Sequence, residues 1–243
     1  MKTLLKVEQL TITDSWTNTI LVENINFTVS HGETLGIIGE SGSGKSMMCK
    51  ALTGLNTKRL YVTGDIQFDS QHLASLSDRQ LRALRGKDIA MIMQQGTRAF
   101  DPSAKVGKQM IETMRAHTTL SKRQIKQELI HYMTYMNLKN PKVILKSYLF
   151  MLSGGMLQPL MIALALALKP KLIIADEPTT ALDTVTQYEV LNAFEDIKQH
   201  IDCSMIFISH DLTVINKIVD RVMVMKEGRL VETGETNIIL QTP

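Results

Sequence analysis

Apolar and polar positions alternate at the start of the chain. Leu5 and Val7, then Ile25, Phe27 and Val29, are separated by polar residues, as half-buried strands require. Thr34-Leu35-Gly36-Ile37-Ile38 is a short apolar strand running into a glycine-rich loop, and from Lys45 the period turns helical. Ser77 with Gln80, and Ser121 with Gln124, carry the capping-box spacing that opens a helix. From about Val106 to Leu157 the chain is rich in Lys and Met and lacks strand alternation, which predicts a helical subdomain inserted into an α/β core. Met110, Met114, Met133 and Met136 fall at helical spacings, suited to filling a core or to an adaptable docking face. Leu172–Ala175 reads as a buried strand, Thr184 with Gln187 as the cap of a helix to about His200, and Met205–Ile208 as another strand. Arg221–Met225 and Arg229–Glu232 follow as two more. Strands alternating with helices predict a mainly parallel sheet.

Length and charge narrow this picture. The 243 residues allow one to two domains, and the net charge of +3 is too even for a protein that coats nucleic acid. Aromatic residues are only 5%, too few for a base-stacking platform. Two cysteines, Cys49 and Cys203, make no disulfide framework; both read as buried small hydrophobes in a reducing cytoplasm. Met1–Leu10 has no apolar secretory core. Ser147–Leu168 is 22 residues without a charge, but Ser153-Gly154-Gly155, Gln158 and Pro159 interrupt it, so it does not read as a membrane span.

The chemistry concentrates in three places. Gly39-Glu40-Ser41-Gly42-Ser43-Gly44-Lys45-Ser46 fits G-x-x-x-x-G-K-[ST] between a strand and a helix. Its glycines let backbone N–H groups turn inward around phosphate oxygens, and the helix start at Lys45 favours the same anion. Lys45 is placed for the β/γ-phosphates and the Ser46 hydroxyl for Mg²⁺. Asp176 and Glu177 end an apolar strand, where α/β sheets place ligands; Asp176 is read as holding Mg²⁺ and Glu177 as polarising an attacking water. Leu152-Ser153-Gly154-Gly155 is a second small-residue turn opening a helix, hence a second anion site. Two half-sites in one chain suggest two chains that each close the other's nucleotide.

In this order the motifs resemble the ATP-binding subunits of ABC transporters, over nearly the whole chain. Gly39–Ser46 resembles Walker A, Gln94 the Q-loop glutamine, and Leu152–Gly155 the LSGG signature. Leu172–Glu177 resembles Walker B with its catalytic glutamate, Ala181-Leu182-Asp183 the D-loop, and His210 the switch histidine. Trp16 stands where the family places an adenine-stacking aromatic. Ile92-Met93-Gln94-Gln95 and Ala99-Phe100-Asp101-Pro102 are similar to the peptide/nickel importer group, and Ser153–Gln158 with Ile173–Thr180 to its nickel or metallophore importers.

The resemblance implies a P-loop ATPase core of residues 1–94 and 161–243, with an N-terminal antiparallel β subdomain and an inserted helical signature subdomain of residues 95–160. It implies ATP and Mg²⁺ as ligands, with Ser46, Gln94 and Asp176 about the metal. Glu177, His210 and Gln94 would be catalytic, and Ser153, Gly154 and Gly155 would meet the ATP of the other subunit. The implied partners are a second, non-identical ATP-binding subunit, two membrane permeases and, indirectly, an extracellular substrate-binding protein, with no nucleic acid. The implied location is peripheral, on the cytoplasmic face of the cell membrane. Nickel, a nickel–metallophore complex and short peptides stay open as cargo. The six histidines have no metal-cluster spacing.

Three features depart from the family pattern. Pro159 stands where relatives carry Arg, and a proline past the first turn is expected to kink the signature helix or disturb its geometry. Leu149-Phe150 replaces a Pro-His pair, and the chain stops at Pro243, where relatives continue. A soluble ABC ATPase or a degenerate regulatory module is the contrasting reading; the first needs long insertions, whereas only 58 positions separate Gln94 from Leu152.

Overall fold

The structure is a computed structural model describing residues 2–94, 99–180, 182–200 and 203–241. Gln95, Ala181 and Pro243 lie outside the described residues, as does the side chain of His200. The chain runs β1 (Thr3–Asp14), β2 (Thr19–Ser30), β3 (Thr34–Gly39), α1 (Lys45–Leu52), β4 (Leu60–Phe68), β5 (Gln71–His72), α2 (Asp78–Leu84) and β6 (Ile89–Ile92). It continues through α3 (Val106–His117), α4 (Lys122–Tyr135), α5 (Pro141–Ile144), α6 (Gly154–Ala167), β7 (Leu172–Asp176) and α7 (Thr184–His200). It closes with β8 (Ser204–Ile208), α8 (Leu212–Ile218), β9 (Arg221–Lys226), β10 (Arg229–Glu235) and α9 (Thr236–Gln241).

Two sheets result. One is antiparallel, in the order β2-β1-β4-β5; the other has six strands in the order β10-β9-β3-β8-β7-β6, parallel except for β10. The central strands are continuous apolar runs because both faces of the sheet are covered. Successive residues divide between two cores: Leu172, Ile174, Ile206 and Ile208 face the antiparallel sheet and α1, while Ile173, Ala175, Met205 and Phe207 face the helices. The inserted helices share that second core. Met110, Met114, Ile125, Leu129 and Met133 are fully buried in it with Leu160 and Ile162 of α6, which gives the methionines the core-filling role. Cys49 and Cys203 are buried thiols, with no disulfide between them.

Both capping boxes form, at Ser77/Gln80 and Ser121/Gln124. The α7 cap is a correction. Thr184 is already helical, and the Asp183 carboxylate accepts from the N–H groups of Val185 (3.1 Å) and Thr186 (3.0 Å). A carboxylate satisfies two free donors and the helix dipole together, which the Thr184 hydroxyl does not. α6 is one continuous helix that contains Pro159. The carbonyl that loses its partner is that of Gly155, four residues back in the half-buried opening turn of the helix. No helix among the described residues is long and apolar enough to cross a membrane, and α6 begins only at Gly154.

Candidate nucleotide site

Register brings the motifs to one edge. Ile37 of β3 and Asp176 of β7 both pair with Ile208 of β8, and Ile92 of β6 pairs with Ala175. The carboxyl ends of four parallel strands are therefore level, and each is followed by a segment bearing a candidate residue: Lys45, Gln94, Asp176–Glu177 and His210. A crevice beyond strand carboxyl ends is where such sheets bind ligands. The cleft here measures about 620 Å³ and is lined by Gly39, Ser41, Gly42, Gly44, Lys45, Ser46, Met47, Gln94, Glu177 and His210.

The loop after β3 is shaped by backbone approach. At Gly39 (φ 147°) a Cβ would lie 2.1 Å from the Met225 carbonyl oxygen, and at Gly44 (φ 98°) one would lie 2.8 Å from a Val22 methyl. Lys45 Nζ donates to the carbonyls of Gly39 and Glu40 (both 2.7 Å) and to Ser43 Oγ (3.3 Å), while the Glu40 side chain itself is exposed. Burial lowers the Lys45 pKa, and the nearby Glu177 and Asp176 charges oppose that shift.

The acids are split by one unusual residue. Neighbours on a strand point to opposite faces, but Glu177 adopts φ 47°, a left-handed conformation uncommon for a non-glycine residue. This turn lets both carboxylates serve one edge. Asp176 lies beneath the cleft, buried, and accepts from Ser46 Oγ at 2.8 Å. Burial raises its pKa and the Glu177 charge adds to this, against the Ser46 hydrogen bond and the Lys50 and Lys45 charges. Glu177 Oε2 accepts from Gln94 Nε2 (3.0 Å) and Thr180 Oγ1 (2.9 Å), and its Oε1 lies 3.6 Å from His210 Nδ1.

These residues fit a magnesium nucleotide. Gly42 has nothing within 4 Å of its Cβ direction, so the loop rim is open to a bulky anion. The hydroxyl–carboxylate pair of Ser46 and Asp176 is a hard oxygen donor set, as Mg²⁺ prefers. Among the described residues no three His, Cys, Asp or Glu side chains are grouped to hold another metal.

A profile of the ABC transporter family matches residues 22–180, spanning the phosphate loop, the signature and the paired acids. The chain belongs to the ABC transporter family. The metal-staphylopine import system ATP-binding protein CntD of Staphylococcus aureus (strain NCTC 8325 / PS 47) is 68% identical to this ABC protein over 241 residues, 99% of this chain and 89% of its own. The oligopeptide transport ATP-binding protein OppD of Bacillus subtilis (strain 168) is 40% identical over 224 residues, 91% of this chain and 63% of its own. The dimeric ATP-binding cassette MJ0796, in a post-hydrolysis state with ADP and Pi, has the same fold: TM-score 0.86 at 24% identity, covering 96% of this chain and 99% of that one.

Two sets of expected residues lie away from the cleft lining. Ser153 and Gly154 are exposed and Gly155 half-buried at the start of α6, and the Ser153 side chain makes no capping bond. Trp16 occupies the β1–β2 turn, 78% exposed. Two supporting contacts had no role assigned from sequence. Thr180 holds Glu177, and the buried Gln158 donates through Nε2 to the carbonyl of Met93 (3.1 Å), the residue before Gln94. The first follows a three-residue spacing visible in the sequence; the second joins residues 65 apart and has no local signal.

Proposed function

We propose that this chain is the ATP-hydrolysing subunit of an importer for metal–metallophore complexes, with nickel among the metals carried. The observation that carries the reaction is Glu177, oriented by Gln94 and Thr180 beside His210 and above the Ser46–Asp176 pair. The similarity to the metal-staphylopine import protein supports the cargo, against 40% identity to the oligopeptide transport protein.

In this reading the loop Gly39, Glu40, Ser41, Gly42, Ser43, Gly44 cradles the phosphates with its N–H groups, and Lys45 exchanges its loop carbonyls for phosphate oxygens. Ser46, Asp176 and Gln94 would hold Mg²⁺, which would supply charge neutralisation for the phosphates. Glu177 takes a proton from water as its oxygen attacks the γ-phosphorus, and the bond to the β-phosphate oxygen breaks. His210 contacts the γ-phosphate, and Trp16 stacks on adenine. Ser153, Gly154 and Gly155 face the nucleotide of a second, non-identical ATP-binding subunit. Residues 95–160 form the helical signature subdomain, which grips the membrane permease; the assembly has two permease subunits and is fed by an extracellular substrate-binding protein. The subunit is then peripheral, on the cytoplasmic face of the membrane.

The test is uptake. A strain lacking this subunit is complemented with the wild type or with Glu177→Gln, and metallophore-bound nickel and a labelled oligopeptide are supplied in parallel. Loss of metal uptake alone, restored only by the wild type, supports the proposal. Loss of peptide uptake alone favours the oligopeptide reading, and normal ATP turnover by Glu177→Gln in the assembled transporter overturns the mechanism.

A further inference from the structure

Trp16 is exposed, yet its surroundings hold it in place. The Asp14 carboxylate accepts the Trp16 N–H through Oδ1 (2.9 Å). The same carboxylate takes both arms of Arg59, Nε on Oδ1 (2.9 Å) and Nη2 on Oδ2. Ser15 donates to the Arg59 carbonyl from its N–H (2.9 Å) and its hydroxyl (2.7 Å). Residues 14–16 are thus tied to Arg59 at both its backbone and its side chain, and the guanidinium carbon lies 4.6 Å from the Trp16 ring centre. A cation over an indole face is attracted by the ring's π density. Arg59 also holds the Asp14 carboxyl down to about 2, so the pair stays ionised through the neutral range. Asp14 is buried and Arg59 half-exposed, and their pairing fixes the ring.

An indole has two faces, and Arg59 covers one. The turn bearing it extends from β2, whose Val22 packs against Gly44 of the phosphate loop. We propose that Arg59, anchored by Asp14, is a positioning residue of the nucleotide site, covering one face of Trp16 and leaving the other for the purine base. This rests on the reading of Trp16 as the adenine-stacking residue. The benefit is preorganisation: the ring is ordered on folding instead of on binding, which favours affinity.

Trp16 is the only tryptophan in the chain, so its emission reports on this cluster alone. ATP is titrated into the full chain of the wild type, Arg59→Met, Arg59→Lys and Asp14→Asn, read by fluorescence and by calorimetry. Trp16→Ala is read by calorimetry. We expect Arg59→Met and Asp14→Asn to shift the emission of the free protein and weaken ATP binding about 3- to 10-fold. Arg59→Lys keeps the charge without the paired hydrogen bonds and should lose less. In the assembled transporter the loss should fall on KM more than on kcat. ATP binding by Arg59→Met equal to or tighter than wild type, with Trp16→Ala weakened, overturns the proposal, since Arg59 would then be idle or would compete with the base. Unchanged binding by Trp16→Ala overturns the underlying reading of Trp16 instead.

Discussion

Two glycine-rich turns each open a helix in this chain, and they are built differently. At the first, Gly39 and Gly44 are pressed against Met225 and Val22, and Lys45 is satisfied by the loop's own oxygens. At the second, a Cβ on Gly154 would meet nothing within 4 Å, Gly155 sees only an Asp183 oxygen at 3.8 Å, and Ser153 caps nothing. The first loop is shaped by its own fold before any ligand arrives. The second leaves its glycines unobstructed, which suits the proposed contact with a nucleotide held by another subunit. Preformed donors cost no reorganisation when the ligand binds, and open glycines admit close approach of a foreign phosphate.

The sharpest way to break this contrast is to add one methyl group to each turn. Gly39→Ala is strained at φ 147° and collides with the Met225 carbonyl, so we expect a loss of about 3 kcal/mol or more in unfolding free energy. Gly154→Ala should stay within about 0.5 kcal/mol of wild type. Urea denaturation of both variants measures the difference. Equal effects would erase the distinction between a clamped and an open loop.

A smaller effect concerns Asp176. Its pKa is raised on folding, mainly by burial, so the native state binds more protons than the unfolded one between the two pKa values. Stability contributed by this group therefore falls as pH rises through that window, and the penalty persists at neutral pH. We expect Asp176→Asn to raise the melting temperature of the nucleotide-free chain by roughly 2–4 °C while abolishing Mg²⁺-dependent hydrolysis. The gain in melting temperature should vanish near pH 4. A variant less stable than wild type at pH 7 would show that the carboxylate is structurally required.

Smaller again is Gln158, which bonds the signature helix to the carbonyl before Gln94. Gln158→Ala leaves that carbonyl without its side-chain donor. We expect a loss of about 1–2 kcal/mol in stability, with a several-fold drop in kcat in the assembled transporter. Gln158→Glu, which cannot donate, should match it. Unchanged kcat in both would reduce the contact to packing.

Much of this was legible in the sequence because the signals are local. The phosphate loop, the strand ending in Asp176 and Glu177, and both capping boxes lie within a few residues of one another, and each forms. β4 is absent from the strands read in the sequence although Leu60, Val62, Ile66 and Phe68 alternate along it with Tyr61, Thr63, Asp65 and Gln67; Gly64 interrupts the apolar positions, opposite a bulge that lies in β1 between Glu8 and Thr11. β6 is only four residues long and apolar throughout, a run that fits a buried helix equally well. The α7 cap was displaced by one residue because Asp183 and Thr184 both suit the position. The Arg59–Trp16 and Gln158–Met93 contacts join residues distant in sequence and appear only once the chain is folded.

The most direct test of two unequal turns places a charge on the open one. Gly154→Asp is made, and ATP affinity is measured on the isolated chain alongside ATPase activity in the assembled transporter. We expect the isolated chain to bind ATP as wild type does, while the assembled transporter loses at least about 10-fold in turnover, because the added carboxylate would repel a nucleotide held by the partner. Loss of ATP affinity in the isolated chain, or normal turnover in the assembly, would contradict it.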